Sequence, residues 1–187
     1  MIQVGRRSIL SAEKAAEQSQ YIGNVIAVDD ELINLKTMEL LLKQADYQVV
    51  AVDDPVCAQQ IIMQKGIGFF DCLVTDFSMP GMSGLELMTW LLSYDPGVAT
   101  VIVTAQEDRN LVKSSFREGA VDFLDKPIKP VSFSSTVQNA MVASRSRRQV
   151  HESIMGLREA GGVAQLLKDD ICPSVESRLK TVFFPRH

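Results

Sequence analysis

Histidine is almost missing from this chain. His151 and His187 are the two in 187 residues, each isolated from any partner at metal-site spacing. That leaves histidine-based metal chemistry without a ligand set. Cysteine is scarce as well. Cys57, Cys72 and Cys172 form an odd set without disulfide-framework or metal-ligand spacing. They read as reduced thiols of a cytoplasmic protein, with Cys72 in a strand pattern and part of a core. No apolar stretch is long enough to span a membrane. The first 20 residues hold Arg6-Arg7 but lack the apolar segment of a secretory signal. Their Ala, Glu and Gln content suits a short helix and disorder equally. Positive charge is in deficit, with 19 Lys and Arg against 23 Asp and Glu, for a net charge of -4. Bulk nucleic-acid binding needs cationic surface to displace counterions, so the chain as a whole is a poor candidate for it. Internal repeats, low-complexity tracts and a phosphate-cradling glycine loop are also missing.

What is present is an apolar share of 46%, enough for a core, arranged in alternation. Continuous apolar runs predict strands at 25–28, 48–52, 72–75, 100–103 and 121–124. Between and after them, helical patterns fall at roughly 32–45, 55–65, 84–94, 108–118 and 131–147. Runs that are apolar throughout mark strands buried on both faces. Five of them, alternating with helices, predict an α/β fold with a parallel sheet covered on both sides. Local signals agree. Asp54-Pro55 places a capping carboxylate before proline at a first helical position. Ser83 to Glu86 has capping-box spacing. Leu32, Leu35, Met38 and Leu42 are expected to face the sheet, and Gly119 to end the fourth helix. Beyond Arg148 the alternation stops. Residues 152–169 have helical composition broken at Gly161-Gly162, and Pro173 interrupts the chain again soon after. The division expected is an N-terminal extension (1–22), one domain (23–148) and a helical tail or partial linker (149–187).

The chemistry gathers at strand ends. The run Cys72 to Thr75 stops on Asp76 before a Pro80-Gly81 turn. The run Val25 to Val28 ends on Asp29-Asp30, the fourth run on Thr104, and the fifth leads to Lys126-Pro127. A parallel α/β sheet binds ligands beyond the carboxyl ends of its strands. Three carboxylates there repel one another unless a cation offsets them. Mg2+ suits such a set because it takes a few carboxylates and leaves room for phosphate oxygens. An exposed Asp beside Mg2+, a lysine and a hydroxyl is arranged for in-line phosphoryl transfer to the carboxylate. Singly, each residue has a plainer reading. Asp29-Asp30 is equally a turn or helix cap, Asp76 equally a turn former, Thr104 a strand-end residue, and Lys126 a solvated lysine.

Together these segments carry a resemblance. Val28-Asp29-Asp30-Glu31, Val74-Thr75-Asp76-Phe77-Ser78-Met79-Pro80-Gly81-Met82-Ser83-Gly84, Val103-Thr104-Ala105 and Asp122-Phe123-Leu124-Asp125-Lys126-Pro127 stand in order. Residues 24 to about 148 resemble the receiver domain of bacterial two-component response regulators. The resemblance implies a flavodoxin-like (βα)5 doubly wound sheet with strand order 2-1-3-4-5. It implies Asp76 as phosphoacceptor and Asp30 as a direct Mg2+ ligand, with Asp29 close by. The Ser78 backbone carbonyl would complete the protein ligands. Thr104 and Lys126 would contact the phosphoryl group, and Lys126-Pro127 would be cis. Thr104 and Phe123 would be the switch pair, with Phe123 turning inward as Thr104 moves. Ser78 and Gln106 match positions that tune dephosphorylation. The implied donor is a sensor histidine kinase or a histidine phosphotransfer protein. The implied activity is Mg2+-dependent self-phosphorylation with slow autodephosphorylation rather than turnover of a substrate.

Output stays open on sequence. Residues 149–187 hold no convincing helix-turn-helix, so nucleic acid is not an expected partner of this chain. A stand-alone receiver with a helical tail, a fragment lacking its effector, and a tail extending the fifth helix into a dimerising linker all remain. Homodimerisation is expected through the fourth helix, fifth strand and fifth helix (roughly 108–147) or through the C-terminal helix. Arg145, Arg147 and Arg148 read as a solvated helix terminus whose cations suit the helix dipole. Two rival functions use similar parts. A haloacid dehalogenase-type phosphohydrolase would need an acid two residues after its nucleophile, where this chain has Ser78. A receiver-like interaction module would never take phosphate.

Overall fold

The computed structural model describes residues 22–105, 120 and 122–159. Five strands form one sheet: β1 (Asn24–Val28), β2 (Gln48–Val52), β3 (Cys72–Asp76), β4 (Ala99–Thr104) and β5 (Asp122–Asp125). Their spatial order is β2-β1-β3-β4-β5, and every neighbouring pair is parallel. This is the doubly wound order that the resemblance implied. The helices are α1 (Leu32–Gln44), α2 (Pro55–Lys65), α3 (Gly84–Tyr94) and α4 (Pro130–Glu159). The predicted helix at 108–118, Gly119, Gln106, the first 21 residues and the tail beyond 159 lie outside the described residues.

Successive residues of a strand face opposite sides of the sheet, so each apolar run feeds two cores at once. Val25, Ala27, Val74, Val101 and Val103 meet Leu35, Met38 and Leu42 of α1 and Phe133, Val137 and Met141 of α4. Ile26, Val28, Leu73 and Ile102 meet Ala58 and Ile62 of α2 and Leu87, Met88 and Leu91 of α3. That two-sided demand is why these strands read as continuous rather than alternating.

The caps form as their residues dictate. The Asp54 side chain accepts from the Cys57 amide at 2.7 Å, with Pro55 at the first helical position of α2. Ser83 and Glu86 close both arms of a capping box on α3.

Two expectations are corrected. Leu32 does not face the sheet; it is 57% exposed. The first turn of α1 follows directly on Asp29-Asp30 and so overhangs the sheet rim, and burial starts one turn later at Leu35. The last helix does not stop near 147. It runs 30 residues to Glu159, about 45 Å at 1.5 Å per residue. From Val131 to Met155 no glycine or proline interrupts it, so nothing local stops propagation at the arginines. No helix among the described residues is long and apolar enough to cross a membrane.

Candidate functional site

Strand order determines which residues meet. β3 lies between β1 and β4, so Asp76 at its end is flanked by Asp29-Asp30 on one side and Thr104 on the other. The order reverses between β1 and β3, and a cleft at such a switch point is where doubly wound sheets hold ligands. Asp29 and Asp76 are buried, while Asp30 is exposed; the expectation of an exposed Asp76 is corrected, because β3 is the central strand and its end is flanked on both sides. Ligand oxygens of Asp29, Asp30 and Asp76 lie within 4.8 Å of one another. The sequence-predicted acidic cluster is therefore brought together.

Lys126 reaches into it from the end of β5, whose register is held by the Lys126 amide donating to the Thr104 carbonyl at 2.8 Å. Its ammonium sits 2.8 Å from Asp76 Oδ1, 3.2 Å from Asp29 Oδ2 and 3.5 Å from Glu31 Oε1. The Lys126–Pro127 peptide is cis. The second Asp76 oxygen accepts from the Ser78 amide at 3.2 Å. Glu31 was not singled out by sequence reasoning as a partner of Lys126. The run of three acids, Asp29-Asp30-Glu31, was the available signal.

The electrostatics are those of crowded carboxylates with one cation. Burial pushes the Asp76 carboxyl above its ordinary value; Lys126 and the Ser78 amide oppose that, and the Asp29 charge adds to it. Burial alone would lower Lys126, but hydrogen bonding and charge from Asp76 and Asp29 hold its ammonium above the usual lysine value. Asp29 Oδ2 is buried, and the Lys126 ammonium 3.2 Å away is its single partner among the described residues. A buried carboxylate oxygen with acceptor capacity to spare beside two more carboxylates, one open to solvent, fits a hard divalent cation with oxygen preference.

Thr104 is buried, and its hydroxyl donates to the Ala105 carbonyl at 3.1 Å. Phe123 is half-buried and packs on the Ile102 side of the sheet. Because Phe123 pairs with Ile102 and Thr104 lies two residues further on, Thr104 and Phe123 share one face of the sheet. The close seating of α3 was also missed. A Cβ built on Gly84 would lie 2.0 Å from the Asp76 carbonyl oxygen and 2.9 Å from the Thr75 side chain. Glycine at the first position of α3 is what lets that helix start against the site strand. Its amide donates to the Phe77 carbonyl at 3.0 Å, closing the loop after Asp76. His151 lies on α4 and is not one of the residues of the metal-competent cluster found among the described residues.

Comparison with known proteins converges on one family. The family model described as response regulator receiver domain matches residues 25–138. The two-component response regulator ARR5 of Arabidopsis thaliana is 29% identical over 161 residues, spanning 80% of this chain and 86% of that protein. The putative two-component response regulator ARR21 of the same plant is 31% identical over 137 residues, 73% of this chain. The chain spans only 22% of ARR21's length. The transcriptional regulatory protein FixJ of Bradyrhizobium diazoefficiens is 29% identical over 119 residues, 64% of this chain and 57% of that protein. Among solved structures, a putative response regulator from Chloroflexus aurantiacus superposes with a TM-score of 0.59 at 27% identity, covering 64% of this chain and 98% of that one. A receiver domain protein from Clostridium thermocellum gives 0.57 at 21% identity, covering 71% and 99%.

Proposed function

The chain belongs to the response regulator receiver family, and from that premise we propose that Asp76 is its phosphoacceptor and that Asp29, Asp30, Lys126 and Thr104 serve the transfer. The observation that carries the reading is the pairing of Asp76 with Lys126 at 2.8 Å inside a cluster of three carboxylates at one strand-end rim.

The residues divide the work. An Asp76 carboxylate oxygen attacks the phosphorus of a phosphohistidine on the donor. An O–P bond forms, the N–P bond breaks, and the imidazole leaves with the bonding pair. The Ser78 amide steadies the other Asp76 oxygen. Lys126 exchanges its carboxylate contact for a phosphoryl oxygen, and the Thr104 hydroxyl turns from the Ala105 carbonyl to another. Asp29, Asp30, Asp76 and the Ser78 carbonyl would hold Mg2+, which when bound would supply charge neutralisation for those oxygens. The donor is a sensor histidine kinase or a histidine phosphotransfer protein. Activity is limited to self-phosphorylation and slow loss of the phosphoryl group, in a reducing cytoplasmic compartment.

The phosphoryl group brings about -1.5 to -2 of charge to the rim. Thr104 moving toward it opens space on the sheet face that it shares with Phe123, and Phe123 turns in to fill it. The surface over roughly 108–147 changes, which shifts an equilibrium toward the output state and toward pairing of two copies through that surface or the long helix. Residues 23–148 act as the switch and 149–187 as its connection to output.

Intact-mass measurement tests the assignment. With acetyl phosphate and Mg2+, the wild-type chain gains one phosphoryl group and Asp76→Asn gains none. Equal labelling of both proteins defeats it. A second prediction concerns the switch. Phe123→Ala takes the label as wild type does, but its hydrogen-exchange response to beryllium fluoride with Mg2+ over 108–147 falls about fivefold, roughly 1 kcal/mol of lost coupling. An undiminished response removes Phe123 from the mechanism.

A further inference from the structure

We propose that the turn Ser144–Arg148 of α4 is a joint that grips the amino-terminal edge of the sheet and sends residues 149–159 out of the domain in a fixed direction. The arginines were expected to be solvated; Arg145 is exposed, but Arg147 and Arg148 are half-buried and the structure uses them otherwise. Arg148 Nη2 donates to the Phe70 carbonyl at 2.8 Å and to Asp95 Oδ2 at 2.9 Å. Arg147 donates to the Val98 carbonyl at 3.0 Å. The buried Ser144 hydroxyl donates to the Gly97 carbonyl at 2.9 Å, and Arg145 donates to the Ile22 carbonyl.

Residues 144, 147 and 148 share one helix face by their three- and four-residue spacing. They continue the apolar stripe Phe133, Val137, Ala140 and Met141 beyond the point where the sheet's apolar surface ends. The structure they grip is itself tied together. Asp95 is buried and also accepts from the Gly68 and Gly97 amides, both at 3.1 Å. Asp71 accepts from the Asn24 amide at 2.9 Å and stands 3.8 Å from Arg148 Nε. The loops entering β1, β3 and β4 thus converge on one helical turn. Gly97 keeps the seat open, since a Cβ there would lie 2.9 Å from Arg148 Cγ.

Helix ends ordinarily fray from the last turn inward. Here the tie-down falls eleven residues before Glu159. Its acceptors are mostly backbone carbonyls of the segments leading into the strands, rather than swinging side chains. Seating guanidinium groups there is costly in solvation, and burial pulls Arg147 below the ordinary arginine value. A helix that needed only to cover the sheet would use apolar residues at these positions. Rigid guanidinium groups seated on fixed acceptors instead set both the roll and the direction of the helix as it leaves. The joint lies at the amino ends of the strands and the Asp76 cluster at their carboxyl ends, so the two are separable by mutation. The inference does not rest on phosphoryl transfer.

Hydrogen–deuterium exchange on the full chain tests it. In Arg148→Met, amide exchange over 149–159 rises about tenfold while exchange over 133–141 stays within about twofold of wild type. Arg148→Lys keeps the charge but lacks the rigid guanidinium that holds Nη2 between Phe70 and Asp95 with Nε turned toward Asp71, and it behaves like Arg148→Met. Asp76 labelling is unchanged in both. Unaltered exchange over 149–159, full rescue by lysine, or a uniform rise over 133–159 would overturn the joint. Should Arg148→Met fail to fold, Arg147→Met, which loses a single carbonyl contact, is compared over the same two segments. A rise confined to 149–159 then supports the joint, and unaltered or uniformly raised exchange overturns it.

Discussion

Gly84→Ala loses about 1–3 kcal/mol of stability, and Gly84→Val more, although alanine is the better helix former. In an exposed helix interior the substitution would gain roughly 1 kcal/mol. Here a Cβ would stand 2.0 Å from the Asp76 backbone oxygen. A carbon–oxygen contact needs more than 3 Å, so the start of α3 or the end of β3 must move by about an ångström. Neither does so freely. α3 buries Leu87, Met88 and Leu91 in the core against Leu73 and Ile102, and β3 is the central strand of five. Forcing extra volume into a packed contact typically costs 1–3 kcal/mol through displaced backbone. Chemical denaturation reads the loss as a lower midpoint at unchanged slope. The same displacement moves the loop carrying Ser78, whose amide holds Asp76, so labelling by acetyl phosphate slows as well. An alanine variant as stable as wild type would show that the loop yields at little cost.

Gly84 also shows where sequence reading ends. Ser83 to Glu86 announced a helix start, and it formed. Nothing local announced that this start would press against the strand bearing Asp76, because the contact depends on two elements meeting. The strands, their parallel order and the acidic rim were legible for the opposite reason. Each strand is a short apolar run, and each rim residue is the next one along, so one-dimensional order and three-dimensional position coincide. The arginines after residue 144 were not legible. Their acceptors are mostly backbone carbonyls, as far as 123 positions away, and a carbonyl carries no sequence signal. The length of α4 was misjudged from a change in composition at Arg148, where the helix loses its sheet but meets no breaker. Leu32 had the right spacing and the wrong surroundings, since periodicity describes a helix face without saying where the sheet stops.

Lys126→Met slows phosphoryl labelling about 100-fold and makes the metal-free protein's stability strongly dependent on pH. Methionine keeps the length and apolar body of the side chain and removes the ammonium. The rate loss comes from removing a preorganised charge aimed at the transferring oxygens, an effect typically worth 100- to 1,000-fold. The stability effect comes from the carboxylates left behind. Asp29 and Asp76, both buried, lose the cation at 3.2 and 2.8 Å. Removing one partner from a buried ion pair typically costs 3–5 kcal/mol, and protonating a carboxyl relieves part of that. Asp76 is already raised by burial even with the lysine present, and it rises further without it. A carboxyl raised on folding binds its proton more tightly in the folded than in the unfolded state. Stability is therefore greatest at acidic pH, below its unfolded value. It falls as pH climbs from the ordinary carboxylate range to the raised folded value, and stays low above it. In chelator, then, thermal or denaturant unfolding of Lys126→Met at pH 7 lies several kcal/mol below wild type, and the gap narrows toward pH 5. Added Mg2+ narrows it again at pH 7, because an ion bound only by the folded cluster stabilises it in proportion to its occupancy. A variant as stable as wild type at pH 7 without metal would mean that the three carboxylates do not share the field that the site requires.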